Sequence, residues 1–230
     1  MGPSVGRVWR ALLHLRFRAF QRHRHGRVVV EQVLGLPIVV LPQVMNPVLF
    51  GTGQYLAQVV TEMLSADGER TRERVLDMGT GSGIGAVFAA RYAREVVAVD
   101  INPDAVRCAR INVLLHGLEE RVTVREGDLF APVQGERFDL VLFNPPFLPG
   151  QPRDQFERAL WSTDVLERFG AGLREHLAED GAALVVLSSL AEHGHHLEFF
   201  RERGYRVEPM ARRRSPGEVI TVYRLDRGHP

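Results

Sequence analysis

Residues 144–147, Asn-Pro-Pro-Phe, stand directly after the apolar run FDLVLF at 138–143. A polar Asn144 at the tip of a buried-looking strand needs an explanation. Its carboxamide oxygen and the carbonyl of Pro145 are two hydrogen-bond acceptors in close succession. Pro145 and Pro146 fix the backbone and add no competing N–H donor, and Phe147 offers a flat apolar face. This set suits an NH2 group whose nitrogen lone pair is delocalised, as in a carboxamide or the exocyclic amine of a base. Acceptors placed where charge develops favour pyramidalisation of that nitrogen as it attacks an electrophile. No strong base is required, because the nitrogen can lose its proton after it has reacted. The plain alternative for Asn144 is a strand-end cap.

A second stretch, DMGTGSGIG at 77–85, follows another strand pattern. Asp77 precedes Thr80 and the alternating glycines Gly79, Gly81 and Gly83, which permit tight turning and close approach of a ligand to the backbone. A P-loop is excluded, since no Gly-Lys-Ser/Thr follows. Alone, the glycines suit a dinucleotide, another adenosine cofactor or an ordinary turn. Asp100 then closes the next strand in VVAVDINP, where a carboxylate can accept both hydroxyls of a ribose. Asp128 follows the third strand in REGDLF, within reach of an adenine edge. Each acid by itself also reads as a helix cap or turn former. Their arrival on consecutive strands in this order points to a nucleoside-bearing ligand.

The elements that must position these residues alternate regularly from Arg74 onward. Strands are expected at 75–78, 95–100, 122–127, 138–143 and 182–188, with helices at 84–93, 103–116, 163–178 and 192–203. Such alternation predicts an α/β fold with a mostly parallel sheet covered on both faces. The last two strands, YRVEPM and EVITVYRL, are joined by RRRSPG, too short for a crossover, so they should pair antiparallel. Upstream, RVVVEQVLG and LPIVVLPQV read as a hairpin around Gly35, with Pro37 and Pro42 arguing for an edge position. A helix from about Gln54 to Leu64 and the polar stretch ADGERTRER lead into the alternating region.

Over about residues 35–225 the chain resembles class I S-adenosylmethionine-dependent methyltransferases, on the strength of DMGTGSG, AVDINP, GDLF and NPPF. The resemblance implies a Rossmann-like sheet of seven strands in the order 3-2-1-4-5-7-6, strand 7 antiparallel. It implies S-adenosylmethionine as cofactor, with Asp77, Gly79, Thr80, Gly81 and Gly83 around its methionine end. Asp100 and Ile101 would hold the ribose side, and Asp128 and Leu129 the adenine. NPPF matches the signature of enzymes that methylate planar nitrogens, with Asn144, Pro145, Pro146 and Phe147 as the catalytic set and Asn144 also beside the cofactor. The hairpin and the segment containing Thr52 resemble the cofactor-covering lead-in of the release-factor glutamine methyltransferases, the HemK-like group. This chain lacks that group's full N-terminal helical domain and is closer to its shorter members. The implied activity is N-methylation of a glutamine side chain in a translation-related protein. An RNA or DNA base and a small molecule are the alternative acceptors. The implied organisation is a basic helix at 1–26, a hairpin and covering helix at 27–70, and a cofactor-binding catalytic domain at 71–230.

Composition narrows the setting. One cysteine, Cys108, excludes an intrachain disulfide and fits a reducing compartment, hence the cytoplasm. Its helical context, DAVRCARINVLL, reads as packing. Cysteine cannot build a zinc cluster here and the nine histidines show no ligand spacing, so no metal is expected. Seven arginines and no acid precede Glu31, and Val5, Trp9, Leu12, Leu13, Phe17 and Phe20 recur at helical spacing among them. That basic amphipathic helix would contact RNA or a ribosomal surface, lie on a membrane face, or pack on its own domain. No run approaches the ~18 apolar residues of a membrane span. The stretch PGQPRDQFERALWST, with Phe156 and Trp161, reads equally as a lid or a packed connection. Nothing in the pattern specifies an oligomer.

Overall fold

The computed structural model describes residues 27–66, 72–146, 164–189, 194–215 and 217–228. The expected basic helix, Phe147 and the 148–163 connection lie outside them. A two-stranded ribbon comes first: β1 (Val29–Val33) and β2 (Leu36–Val40), antiparallel, turning at Leu34 and Gly35. Pro37 thus sits on an edge strand, as its missing donor requires.

The main sheet contains β3 (Arg72–Met78), β4 (Ala93–Asp100), β5 (Val122–Glu126), β6 (Phe138–Phe143), β7 (Leu177–Ser188), β8 (Tyr205–Ser215) and β9 (Glu218–Arg227). Its order is β5-β4-β3-β6-β7-β9-β8, with β9 antiparallel to both neighbours. Counted from β3, this is the expected 3-2-1-4-5-7-6. FDLVLF is buried at every position except Asp139 because helices cover both faces of β6, which turns the usual alternation into a continuous apolar run.

The helices are α1 (Pro47–Phe50), α2 (Thr52–Ala66), α3 (Ile84–Ala89), α4 (Pro103–Leu115), α5 (Val165–His176) and α6 (Gly194–Glu202). One face of the sheet, including Val75, Val96, Leu140, Leu184 and Val222, packs on Leu56 and Val60 of α2 and Ala86 of α3. The opposite face, including Leu76, Val97, Val141, Val185 and Leu225, packs on Phe169 and Leu173 of α5 and Phe200 of α6. Asn46 caps α1, its Oδ1 accepting from the N–H groups of Val48 and Leu49, and Asn102 caps α4 through the Asp104 N–H.

Several boundaries differ from the sequence reading. α2 begins at Thr52 rather than Gln54, because Gly51, at φ 72°, closes α1 and the chain re-enters helix at once. α3 ends at Ala89 rather than at residue 93, since Ala93 is drawn into the ladder opposite Arg72. β7 starts at Leu177, well before 182, pairing with Phe138 across an irregularity. β8 absorbs the arginine run as far as Ser215, helped by a register shift between Pro209 and Ala211.

The hairpin packs on the main domain through Val33, Ile38 and Val40, which cluster with Ala57, Phe88 and Cys108, and its hydrogen bonds converge on one buried side chain. Asn112 of α4 accepts the Val39 N–H at 2.8 Å and donates from Nδ2 to the carbonyls of Val39 and Ser82, both at 2.7 Å. Three elements thereby meet on one carboxamide. Its loss would strand the Val39 N–H and the Ser82 carbonyl, each worth about 1–3 kcal/mol when buried and unpaired, and leave the Val39 carbonyl to the Cys108 thiol alone. Asn112→Ala should therefore lower unfolding free energy by about 2 kcal/mol or more in a denaturant titration. A midpoint equal to wild type would show that the hairpin does not depend on this bridge.

Candidate active site

Register creates a recess at the middle of the sheet's carboxyl edge. Asp77 pairs with Ala98 on one side and Leu142 on the other, so Asp100 and Asn144 each extend two residues beyond it. At about 3.3 Å per residue, the neighbouring tips stand roughly 6–7 Å above Asp77. Adjacent strands β5, β4, β3 and β6 deliver Asp128, Asp100, Asp77 and Asn144 in that order along the rim. The recess is open to solvent and is lined by Asp77, Gly79, Thr80, Gly81 and Asn144 together with Gly53 and Leu56 of α2.

Asp77 forms its floor. Burial pushes its carboxyl up to about 6, against the opposing effect of hydrogen bonds from Thr80 and Ala86, and nearby Asp100 adds to the rise. Oδ2 accepts both the Thr80 hydroxyl at 2.5 Å and the Ala86 N–H at 2.8 Å. The loop between β3 and α3 is thus folded over the carboxylate. Asp100 holds the same loop from the side: Oδ2 accepts the Gly81 N–H at 2.8 Å and Oδ1 the Asn102 N–H at 2.9 Å. Burial also raises the Asp100 carboxyl above its ordinary range.

The glycines divide their work. At Gly81, φ 58°, a Cβ would meet nothing nearer than the Gly79 carbonyl oxygen at 4.0 Å, so the open space beside it belongs to the recess. Gly83, φ 82°, faces α4 instead, and a Cβ there would lie 2.9 Å from Ala109 Cα. It allows α3 and α4 to approach rather than lining the recess. Gly85, unnoticed as a site residue in the sequence reading, is equally constrained: a Cβ would stand 2.4 Å from Asp77 Oδ1. Its signal was present, as the fourth glycine of DMGTGSGIG.

Buried polar atoms without hydrogen-bond partners among the described residues gather around this recess. They are Asn144 Oδ1, Ser82 Oγ and Thr52 Oγ1. Thr52 opens α2 one residue before Gly53, which lines the recess and lies 3.8 Å, at its ideal Cβ, from Asn144 Nδ2. Such orphaned groups cost stability in an empty protein and are satisfied by a polar ligand. Met45, Ser82, Ile84 and Gly85 complete the lining; Ser82 and Ile84 stand between the glycines of DMGTGSGIG, whereas Met45 carries no sequence pattern that marks it.

The remaining expected residues lie farther along the rim, outside the recess lining. Ile101 follows Asp100 and is 44% exposed, a large apolar side chain facing solvent at the rim. Asp128 forms an ion pair with Arg168 of α5, and Leu129 adopts φ 47° beside it. Pro145 is buried and Pro146 half-buried after Asn144. Cys108 is buried, its thiol pushed up to about 11 by burial, which agrees with packing and disfavours a thiolate role.

A methyl donor built from adenosine and methionine fits these groups: cationic at one end, hydroxylated in the middle, and bordered by two acids, open glycine backbone and unpartnered hydroxyls. The comparisons with known proteins agree. Residues 53–204 match the family described as methyltransferase small domain. A protein from Methanocaldococcus jannaschii, named as a candidate protein N5-glutamine methyltransferase, is 33% identical over 163 residues, covering 66% of this chain and 81% of that one. The ribosomal protein uL3 glutamine methyltransferase of Bradyrhizobium diazoefficiens is 35% identical over 172 residues, which are 65% of this chain and 52% of that enzyme. The chain thus spans about half the length of the uL3 enzyme. Among solved structures, the ribosomal protein L11 methylase of Lactobacillus delbrueckii subsp. bulgaricus superposes with TM-score 0.58 at 24% identity, over 78% of this chain and 79% of the other. Recess, strand order and family match converge: the chain belongs to the methyltransferase small domain family and has the class I fold and cofactor cleft of S-adenosylmethionine-dependent methyltransferases.

Proposed function

We propose that the protein methylates the side-chain nitrogen of a glutamine in a protein of the translation apparatus. The observation that carries this reading is Asn144 Oδ1, a buried acceptor with no hydrogen-bond partner among the described residues, lining the same recess as Asp77 and the glycine loop. S-adenosylmethionine, when bound, supplies a methyl group activated by its positive sulfur. Asp77, Gly79, Thr80 and Gly81 would hold the methionine end and Asp100 the ribose, with Ile101, Asp128 and Leu129 toward the base. Asn144 Oδ1 accepts one N–H of the glutamine carboxamide and the Pro145 carbonyl the other. The two acceptors orient the nitrogen lone pair toward the methyl carbon and meet positive charge as it grows on nitrogen. The proton leaves afterwards, so no histidine or lysine base is needed beside Asn144.

Glutamine is favoured by the two relatives whose names specify glutamine methylation. The same acceptors also suit an exocyclic amine of a nucleic-acid base, and the arginines before Glu31 make RNA the second candidate. Labelled S-adenosylmethionine offered to separated ribosomal protein and RNA fractions discriminates between them. Label in protein that acid hydrolysis releases as volatile methylamine supports a methylated carboxamide. Label confined to RNA would overturn the glutamine reading.

Two further outcomes are expected. Asn144→Ala should reduce turnover by about 10²–10³-fold, the effect of losing one preorganised hydrogen-bonding group. Its affinity for S-adenosylmethionine should stay within about threefold of wild type, since the lost contact is to the acceptor. Preserved turnover would remove Asn144 from the chemistry. Cofactor affinity should also strengthen as pH rises through about 6, because the Asp77 carboxyl must ionise to face a cationic ligand. Calorimetry on Asp77→Asn should give weaker binding and a flat profile over that range. A variant that keeps the wild-type pH profile would assign the titration to another group.

A further inference from the structure

We infer that Glu167, His195 and His196 form a binding site for a divalent transition-metal ion of the zinc type. Glu167 lies in the first turn of α5, and the two histidines stand at the start of α6. One ligand atom from each residue falls within 4.8 Å of the other two. Glu167 Oε1 is 3.2 Å from His195 Nε2 and 2.9 Å from His196 Nδ1. Bonds of about 2.0–2.2 Å at tetrahedral angles would place ligands roughly 3.3–3.5 Å apart, so these groups need to open only slightly to admit the ion. The imidazoles lie side by side, centroids 4.1 Å apart and tilted by 41°, each with a ring nitrogen turned to the same carboxylate.

Two ordinary histidine–carboxylate pairs would explain the distances. They leave Glu167 Oε2 unexplained, a buried oxygen without a hydrogen-bond partner among the described residues. A metal would draw on the whole carboxylate and remove that cost. Two imidazoles and one carboxylate match zinc, nickel or copper, whereas magnesium and calcium favour oxygen shells. Three protein ligands leave a position for water, and His195, 68% exposed in its side chain, keeps an entry path open. Sequence spacing hides the site because its ligands come from separate helices, which is why no metal was expected from the histidines alone.

The location gives the ion a structural task. α5 and α6 cover the same sheet face, and the Phe169 ring of α5 packs at a tilt of 31° on Phe143, the residue before Asn144, with centroids 4.3 Å apart. A metal joining the two helix starts would stiffen the support beneath the acceptor side of the recess. The site is separate from cofactor binding, so its fate and that of the methyl-transfer reading can be measured apart.

The test uses the full chain without an affinity tag, stripped by a chelator and titrated with zinc against a chromophoric competitor. Melting is followed with and without zinc. Saturable binding of a single ion per chain, accompanied by a higher melting temperature, is expected. Loss of a group that only supports a ligand costs about 10–100-fold in affinity, so His195→Ala or Glu167→Gln, which alter ligands themselves, should weaken zinc by at least about 100-fold. In chelator, exposed His195→Ala should melt close to wild type and bind S-adenosylmethionine equally well, while losing the zinc-dependent rise. Absence of saturable zinc binding, or binding that persists in His195→Ala/His196→Ala, would overturn the site.

Discussion

A carboxylate buried at the end of the central strand sets the terms for this molecule. Asp77 is out of water, and its charge is tolerated because a hydroxyl and an amide are aimed at one oxygen. Both donors come from the segment that immediately follows it, so satisfying the carboxylate also determines the path of the loop. Once that path exists, Gly81 presents its N–H to Asp100 and Ser82 presents its carbonyl to Asn112. The loop is therefore held from below, from the side and from behind. What is left open is the top, where the recess lies.

The two edges of the sheet illustrate different uses of polar groups. At the amino edge, Arg74 binds Glu95 and Glu136, Arg125 adds a second cation to Glu136, and Asp139 accepts the Arg74 N–H. Arg125 foremost, then Arg74, holds the Glu136 carboxyl below its usual range. This end closes on itself. At the carboxyl edge Thr52, Ser82 and Asn144 retain buried atoms without hydrogen-bond partners among the described residues. Parallel strands make that asymmetry possible, because every helix N-terminus and loop carrying a ligand-facing group returns to the same side.

What could be read from sequence was what is encoded locally. Asp77, the glycines, Asp100 and NPP each sit at a strand end announced by its own apolar run, and the alternation of elements carried the strand order. Gly85 was legible as a glycine, though not as a necessity, because the carboxylate that would meet its side chain points back from Asp77. Asn112 lies in an unexceptional helix, and its bonds reach residues thirty and seventy-three positions away. Arg213 is similar: it read as part of a polar turn, yet it donates to the Gly51 carbonyl and stands over the Tyr55 ring. Boundaries shifted where ladder pairing outweighed local preference, as at Ala93 and Leu177.

The way the hairpin is attached has an evolutionary consequence. Asn112 meets main-chain atoms of Val39, His116 Nε2 meets the Pro37 carbonyl, and Asn102 donates to the Gln43 carbonyl. None of these bonds reads the identity of a hairpin side chain. The outward residues Val28, Val30 and Leu34 are exposed and carry none of this anchoring. Mutational drift can therefore rewrite the hairpin's outer surface while its docking and the catalytic chamber stay as they are. Descendants of such a protein could change partners through a few substitutions in an appendage and inherit the chemistry unaltered.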